Sequence, residues 1–126
     1  MAVKLISKFK DNLVSFFDEL ISQFPTEGEF IVIRVLIKDQ LPITEIINYF
    51  NTEILPQRDI IKNRNEIFFT SESSSLFSKL SPKTASRFAE LWKNGSLDEE
   101  DKKVMWRWVD SFVTYIDAIN NSKMIL

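Results

Sequence analysis

The sequence predicts an all-α fold: a compact single-domain bundle of about five or six helices with one long C-terminal helix. Three observations support this. Apolar residues recur at three- and four-residue steps along most of the chain, which places them on one face of a helix. The four prolines stand where helices begin or end. The 126 residues, 1–126, suit one hydrophobic core and therefore one domain.

The first helix is predicted over residues 4–24, with Pro25 directly after it. Its apolar stripe consists of Leu5, Phe9, Leu13, Phe16, Phe17, Leu20, Ile21 and Phe24. Thr26 and Glu29 have the spacing of a capping box, in which both side chains satisfy backbone N–H groups at a helix start. A second helix therefore runs from there to about residue 40.

Residues 30–38 allow two interpretations. They are almost continuously apolar and rich in β-branched side chains, a pattern that a buried strand shares with a buried helix. Helix is favoured because of the capping box, and because no other segment offers a strand with which this one could pair its backbone groups.

The middle of the chain predicts two short helices followed by a loop. Pro42 precedes a helix that extends to about residue 53, and Pro56 opens a second one. The apolar pattern then decays into a run of serines over residues 71–75. This composition predicts a mobile loop over about residues 65–81.

The last third of the chain contains the clearest helix signals. Ser81 followed by Pro82 is typical of a helix start, and Gly95 of a helix end in a left-handed conformation. Ser96 and Glu99 have the spacing of a second capping box. The final helix is predicted over residues 97–120, with a stripe formed by Met105, Trp108, Val109, Phe112, Ile116 and Ile119.

The amino-acid composition argues against most classes of enzyme. The chain has no His and no Cys, which leaves no side chain that readily titrates near neutral pH and no thiol nucleophile. Its two glycines cannot form a phosphate-binding glycine loop. The acidic run of residues 98–101 fits the first turn of a helix better than a cation site. We expect that the chain is not an enzyme and that it has no cofactor and no metal site.

Trp106 and Trp108 point to opposite sides of the last helix, because residues two apart differ by about 200°. Trp106 shares a second, narrower apolar strip with Val113. Either the helix is buried on two sides, or Trp106 is exposed for a partner. Trp and Arg are typical of interface hot spots, so Trp106, Arg107 and Val113 form the candidate contact for a protein partner. Homodimerisation through this strip is a further hypothesis.

A local basic cluster, formed by Arg58, Lys62 and Arg64, is the second candidate site. It suggests contact with phosphates of nucleic acid. Asp59 and Glu66 interrupt it, and the formal net charge of the chain is -2, so a solvated helix face is the favoured interpretation.

Two absences in the sequence bear on the cellular compartment and on membrane association. The absence of Cys gives no reason to expect an oxidising compartment. No segment approaches the roughly 18 apolar residues of a membrane span. We therefore expect an intracellular protein without a membrane partner.

A set of short motifs resembles a family of small uncharacterised helical proteins of large nucleocytoplasmic DNA viruses, of the mimivirus and phycodnavirus type. The motifs span about residues 16–119 and are Phe24-Pro25, Pro56, Glu66 before Phe68-Phe69, Leu91-Trp92-Lys93, and Lys103 to Trp106. The resemblance implies a viral protein in the host cytoplasm or the virion. With the features above, it predicts a non-enzymatic macromolecular interaction protein, such as an accessory, virion or host-modulating factor. The alternative is a nucleic-acid-associated viral factor.

Overall fold

The computed structural model describes residues 2–71 and 76–125, and the all-α prediction is confirmed for them, with no strand in those two ranges. Their α-helical segments are α1 Ala2–Gln23, α2 Gly28–Val35, α3 Ile43–Tyr49, α4 Arg58–Lys62, α5 Ile67–Thr70, α6 Pro82–Lys93 and α7 Glu99–Ile125. The long C-terminal helix of the prediction is α7.

The segment that allowed either helix or strand is helical. α2 continues into a π-helical turn, Leu36–Gln40, and α3 likewise continues into the π turn Phe50–Ile54. Phe30, Ile33 and Ile37 are buried along one side of the α2 region. A π turn contains one residue more than an α turn, so it rotates the side chains that follow it.

The core forms where α1 packs against α7. The Phe16 ring of α1 lies edge-on to Phe112 of α7, with 5.4 Å between ring centroids. Beside these rings, the Asn12 amide donates a hydrogen bond of 2.7 Å to the Ser111 hydroxyl. The stripe predicted for the first helix and the stripe predicted for the last one therefore bury each other.

The helix starts agree with the sequence at α3, which follows Pro42, and at α6, and they differ at α2 and α7. Ser81 caps α6, its hydroxyl accepting a hydrogen bond of 3.3 Å from the Thr84 N–H. The capping box of Thr26 and Glu29 is wrong, because α2 begins at Gly28 and no side chain caps it. The carboxylate of Glu27, at the N-cap position, instead pairs with Arg87 of α6.

The capping box predicted at Ser96 and Glu99 is also wrong. The box forms two residues later, between Asp98 and Asp101. The Asp101 N–H donates to the Asp98 carboxylate at 2.8 Å, and the Asp98 N–H donates to Asp101 at 3.1 Å. A carboxylate at each position satisfies the same backbone donors as the predicted pair would have done. Gly95 has a φ of 84°, which confirms the predicted left-handed end of α6.

The predicted loop of residues 65–81 contains a short helix, α5, which the sequence did not reveal. The segment also contributes buried apolar side chains on both sides of the serine run: Phe68, Phe69, Leu76 and Phe77. The Tyr49 hydroxyl holds the second pair by donating a 2.8 Å hydrogen bond to the Leu76 carbonyl. Residues 72–75 lie outside the described residues, and the mobility of the loop stays a prediction.

Candidate interaction groove between α4 and α7

Trp106 belongs to the core, with only 7% of its surface exposed. Its ring lies 4.7 Å from that of Phe69 and 6.0 Å from that of Phe68, both on α5. Of the two alternatives for α7, burial on two sides is therefore the one found. Trp106 as an exposed partner contact is wrong, because α5 covers the strip that the tryptophan occupies.

Arg64 closes this aromatic cluster from the solvent side. Its guanidinium carbon lies 5.4 Å from the Trp106 ring centroid, within cation–π distance. Its backbone adopts a φ of 53°, in the left-handed region. The Asn65 and Arg64 N–H groups donate to the Ile60 and Ile61 carbonyls at 3.0 Å each, the pattern of a Schellman motif that ends α4.

Two arginine–aspartate pairs, one at the start of α4 and one just beyond its end, join this part of the chain to α7. Arg64 donates to both carboxylate oxygens of Asp110, at 2.8 and 2.6 Å. Arg58 binds Asp117 in the same two-pronged way, with one bond of 3.0 Å. The hydrogen bond that each arginine donates to its aspartate raises the pKa of that arginine. Two-pronged bonding fixes the plane of a guanidinium as well as its position.

The spacing of the α7 residues explains why Val113, from the candidate partner contact, lies beside the basic cluster. Trp106, Asp110, Val113 and Asp117 follow one another at steps of four, three and four, so they share one face of the helix. α4 packs beside this face. The basic cluster and Val113 of the second apolar strip, inferred separately from the sequence, therefore lie on the walls of one groove.

We call this feature the α4–α7 groove, an open depression of about 490 Å³. Its walls are formed by Arg58, Asp59, Ile61, Lys62, Arg64, Asp110, Val113 and Thr114. The groove has an apolar floor, because Ile61 is buried and Val113 is partly buried.

The charges of the groove are balanced. Three cations, Arg58, Lys62 and Arg64, face three carboxylates, those of Asp59 and of the paired Asp110 and Asp117. The predicted basic cluster therefore lacks a surplus of positive charge. The sequence reasoning missed the two α7 aspartates, although their register with Trp106 and Val113 was visible in the sequence.

Two exposed cations have no ion pair with any residue in 2–71 or 76–122: Lys62, in the groove wall, and Arg107, on α7 beyond the groove. Arg107 lies one heptad before Thr114, on the same side of α7 and about 10 Å along the axis. These two side chains are the ones that can contact a partner without first breaking an internal ion pair.

The described part of the chain places no other chemistry beside the groove. Within it, no three acidic side chains come together in a way that could hold a metal ion. Among the described helices, none has the length and apolar character needed to cross a membrane.

Comparisons with known proteins add no relative. No family model matches the sequence. No curated protein and no solved structure matches it either. The α4–α7 groove must therefore be interpreted from its own residues.

Proposed function

We propose that this protein is a non-enzymatic interaction protein that binds a protein partner in the α4–α7 groove. The observation that carries the proposal is the fixed orientation of Arg58 and Arg64, each held by a two-pronged bond to an α7 aspartate. A side chain that is already fixed loses less conformational entropy when a partner binds it.

The groove chemistry favours an acidic and partly apolar segment of the partner. A guanidinium has five N–H donors, and each arginine gives two of them to its aspartate, so donors remain for an incoming carboxylate. Lys62 and Arg107 add positive charge that is not paired within the described residues. Val113 and the floor at Ile61 offer an apolar contact between these polar groups.

Nucleic-acid binding through Arg58, Lys62 and Arg64 is the weaker alternative. Phosphates would have to compete with Asp110 and Asp117 for the two arginines. Strong phosphate binding relies on a surplus of positive charge and the release of many counterions. Even with Arg107 counted, four cations face three carboxylates, so the surplus is a single positive charge.

The setting that we propose comes from the motif resemblance described above. A viral accessory or virion protein acts inside the infected cell, where a small helical module can bind and modulate a host protein. Infected cells and purified virions are therefore the places in which to look for the partner.

The test compares proteins recovered with three tagged forms of the chain, at low and high salt. The wild type is compared with the double variant Lys62→Glu plus Arg107→Glu, which reverses both unpaired cations. Lys83→Glu is the matched control, because Lys83 is exposed on α6 and lines a different depression with Glu27. A photoreactive amino acid in place of Thr114, on the groove wall, identifies what lies there.

We expect one protein to be recovered by both the wild type and the control. The double variant should recover at least about tenfold less of it, the ratio that 1.4 kcal/mol gives. The same protein should crosslink at position 114. Recovery of nucleic acid alone, only at low salt, would support the alternative. Equal recovery of every protein by all three forms would refute a role for the groove.

A further inference from the structure

The two arginines of the α4–α7 groove are held about one heptad apart. Asp110 and Asp117 are separated by seven positions on α7, which is a rise of about 10.5 Å on nearly the same side of the helix. Arg58, at the start of α4, pairs with Asp117. Arg64, just beyond the end of α4, pairs with Asp110. α4 therefore runs antiparallel to α7, and the two guanidiniums lie about 10 Å apart along it.

Each arginine keeps one edge of its guanidinium free of any partner in residues 2–71 and 76–122. The bonds to the aspartates use Nη1 and Nη2 of both arginines, and Arg64 also donates from Nη1 to the Ile61 carbonyl at 3.3 Å. The five donors of a guanidinium form a fixed planar fork, so the Nε N–H and the outer Nη2 N–H remain in both cases. The Arg58 side chain is 51% exposed and that of Arg64 44%. This edge can therefore take a second carboxylate.

Arg87 shows that one guanidinium in this chain can bind two carboxylates. Its Nε and Nη2 N–H groups donate to the Glu27 carboxylate at 2.6 and 2.5 Å, while Nη1 donates to Glu90 at 2.6 Å. The edge that holds Glu27 is the same edge that stays open in Arg58 and Arg64. A second carboxylate can therefore join each groove arginine without displacing its aspartate.

An apolar contact lies between the two arginines. Val113 follows Asp110 by three positions and precedes Asp117 by four, and it is partly buried. It lines the groove together with the buried Ile61 of α4. Along α7 the groove thus offers a guanidinium, an apolar contact and a second guanidinium within about two helical turns.

We infer that the segment bound in the groove is an amphipathic helix with two carboxylates seven residues apart and an aliphatic side chain between them. Such a segment repeats the pattern of Asp110, Val113 and Asp117 on the open side of the same arginines. The inference rests on the proposed function and specifies the part of the partner that is bound.

The spacing selects a helix over an extended segment. In a helix, residues three, four and seven apart share one face, and seven residues rise about 10.5 Å. In a strand, only every second side chain points to the same side, so two carboxylates on one side lie about 6.6 or 13 Å apart. Neither strand spacing matches two fixed guanidiniums about 10 Å apart.

A second copy of the chain is a poorer occupant than a partner. Its α1 has the required spacing in Asp11, Val14 and Asp18. Asp18, however, already accepts a 2.6 Å hydrogen bond from Arg34, and Val14 packs against its own core. We therefore assign the groove to a helix of another protein.

The test uses the full chain and two fluorescent helical peptides of about 15 residues on a background rich in alanine and glutamine. The matched peptide has glutamates at its fourth and eleventh positions and leucines at its seventh and eighth, so it fits in either direction. The shifted peptide moves the second glutamate to the twelfth position, which turns it about 100° around the helix. Fluorescence anisotropy, with protein up to about 1 mM, should show the matched peptide bound at least about tenfold more tightly.

Arg58→Gln removes one of the two guanidiniums and tests the spacing from the side of the protein. Arg58 is exposed, so the circular dichroism of this variant should match that of the wild type. It should bind the matched peptide at least about tenfold more weakly and no longer distinguish the two peptides. Lys83→Gln is the matched control, since it neutralises an exposed cation of α6 outside the groove, and it should bind like the wild type.

Four outcomes would each overturn the inference. They are no binding of the matched peptide, equal binding of both peptides by the wild type, a preference that Arg58→Gln retains, and dimerisation of the wild type that Arg58→Gln abolishes. The proposed function is tested separately by partner recovery and crosslinking at position 114. A partner that crosslinks there through a segment without this spacing would keep the groove as the binding site and refute only the helix.

Discussion

The guanidinium of Arg64 covers the Trp106 ring at 5.4 Å while the Arg64 backbone stands in the left-handed region, at a φ of 53°. Glycine is the usual residue at this position of a Schellman motif, because a Cβ makes the conformation unfavourable. The arginine side chain offsets that cost by shielding an aromatic cluster and by bonding to Asp110. One residue thereby ends α4, covers the core and forms a wall of the groove.

Two substitutions separate the backbone and side-chain roles of Arg64. Arg64→Ala and Arg64→Gly both remove the side chain, but only the glycine relieves the left-handed backbone. Both should be less stable than the wild type, and the glycine variant should be more stable than the alanine variant by about 1 kcal/mol. Urea unfolding measures the difference. An alanine variant as stable as the glycine variant would contradict the assigned conformation.

Gly95 and Gly28 form a second matched pair. Gly95→Ala should lower the free energy of unfolding by about 1 kcal/mol, because the φ of 84° is unfavourable for any residue with a Cβ. Gly28→Ala adds the same methyl group at the start of α2, where φ is not positive. It should be neutral or stabilising by up to about 1 kcal/mol. An added Cβ meets no atom within 4 Å at either site, so packing does not affect the comparison.

The start of α7 is stabilised by Asp98 and not by Ser96. Asp98→Ala removes the acceptor of the Asp101 N–H and should cost about 1 kcal/mol in unfolding free energy. Ser96→Ala should cost clearly less, because the Ser96 hydroxyl bonds only to Asn94, outside the helix. Thermal unfolding of both variants decides the point. A larger loss from the serine change would restore the Ser96 capping box.

Tyr49 makes stability depend on alkaline pH. Burial raises the pKa of its hydroxyl from 10.0 to about 12. Since the folded state holds this proton more tightly than the unfolded state, the stabilisation is complete below pH 10 and is lost as pH rises towards 12. The wild type should therefore lose unfolding free energy between pH 10 and about 12.

Tyr49→Phe is the control for that pH dependence. At pH 7 it should be about 1 kcal/mol less stable than the wild type, because the Leu76 carbonyl loses its hydrogen bond. The gap should close as pH rises above 10, since only the wild type has this group to deprotonate. Other titrating side chains are common to both proteins. A gap that stays constant with pH would contradict the role assigned to Tyr49.

Local patterns in the sequence predicted the long helices and two of their ends. The stripes of α1 and α7 and the Gly95 turn depend on residues close in sequence, so periodicity and backbone preference suffice to find them. α5 was not predicted, because its four residues are too few to show a helical period. Phe68 and Phe69 were therefore placed in a predicted loop, although their rings bury Trp106.

Local sequence patterns likewise could not predict the α4–α7 groove. The sequence pointed to Arg58, Lys62 and Arg64 on one hand and to Val113 on the other, without showing that they meet. Their meeting depends on α4 lying beside α7, a long-range contact that no local pattern encodes. The balancing role of Asp110 and Asp117 depends on the same contact, so charge counted along the sequence could not show which carboxylates pair with the two arginines.

The pairing of α1 with α7 has a consequence for synthesis on the ribosome. Asn12 and Ser111 are separated by 99 positions, and Phe16 meets Phe112 across a similar distance. During translation the first helix emerges with its aromatic stripe uncovered until α7 has been made. At about 5–20 residues per second this interval lasts roughly 5–20 s, during which the nascent stripe can attract chaperones. Closure of the core is therefore a late event, set by the arrival of α7.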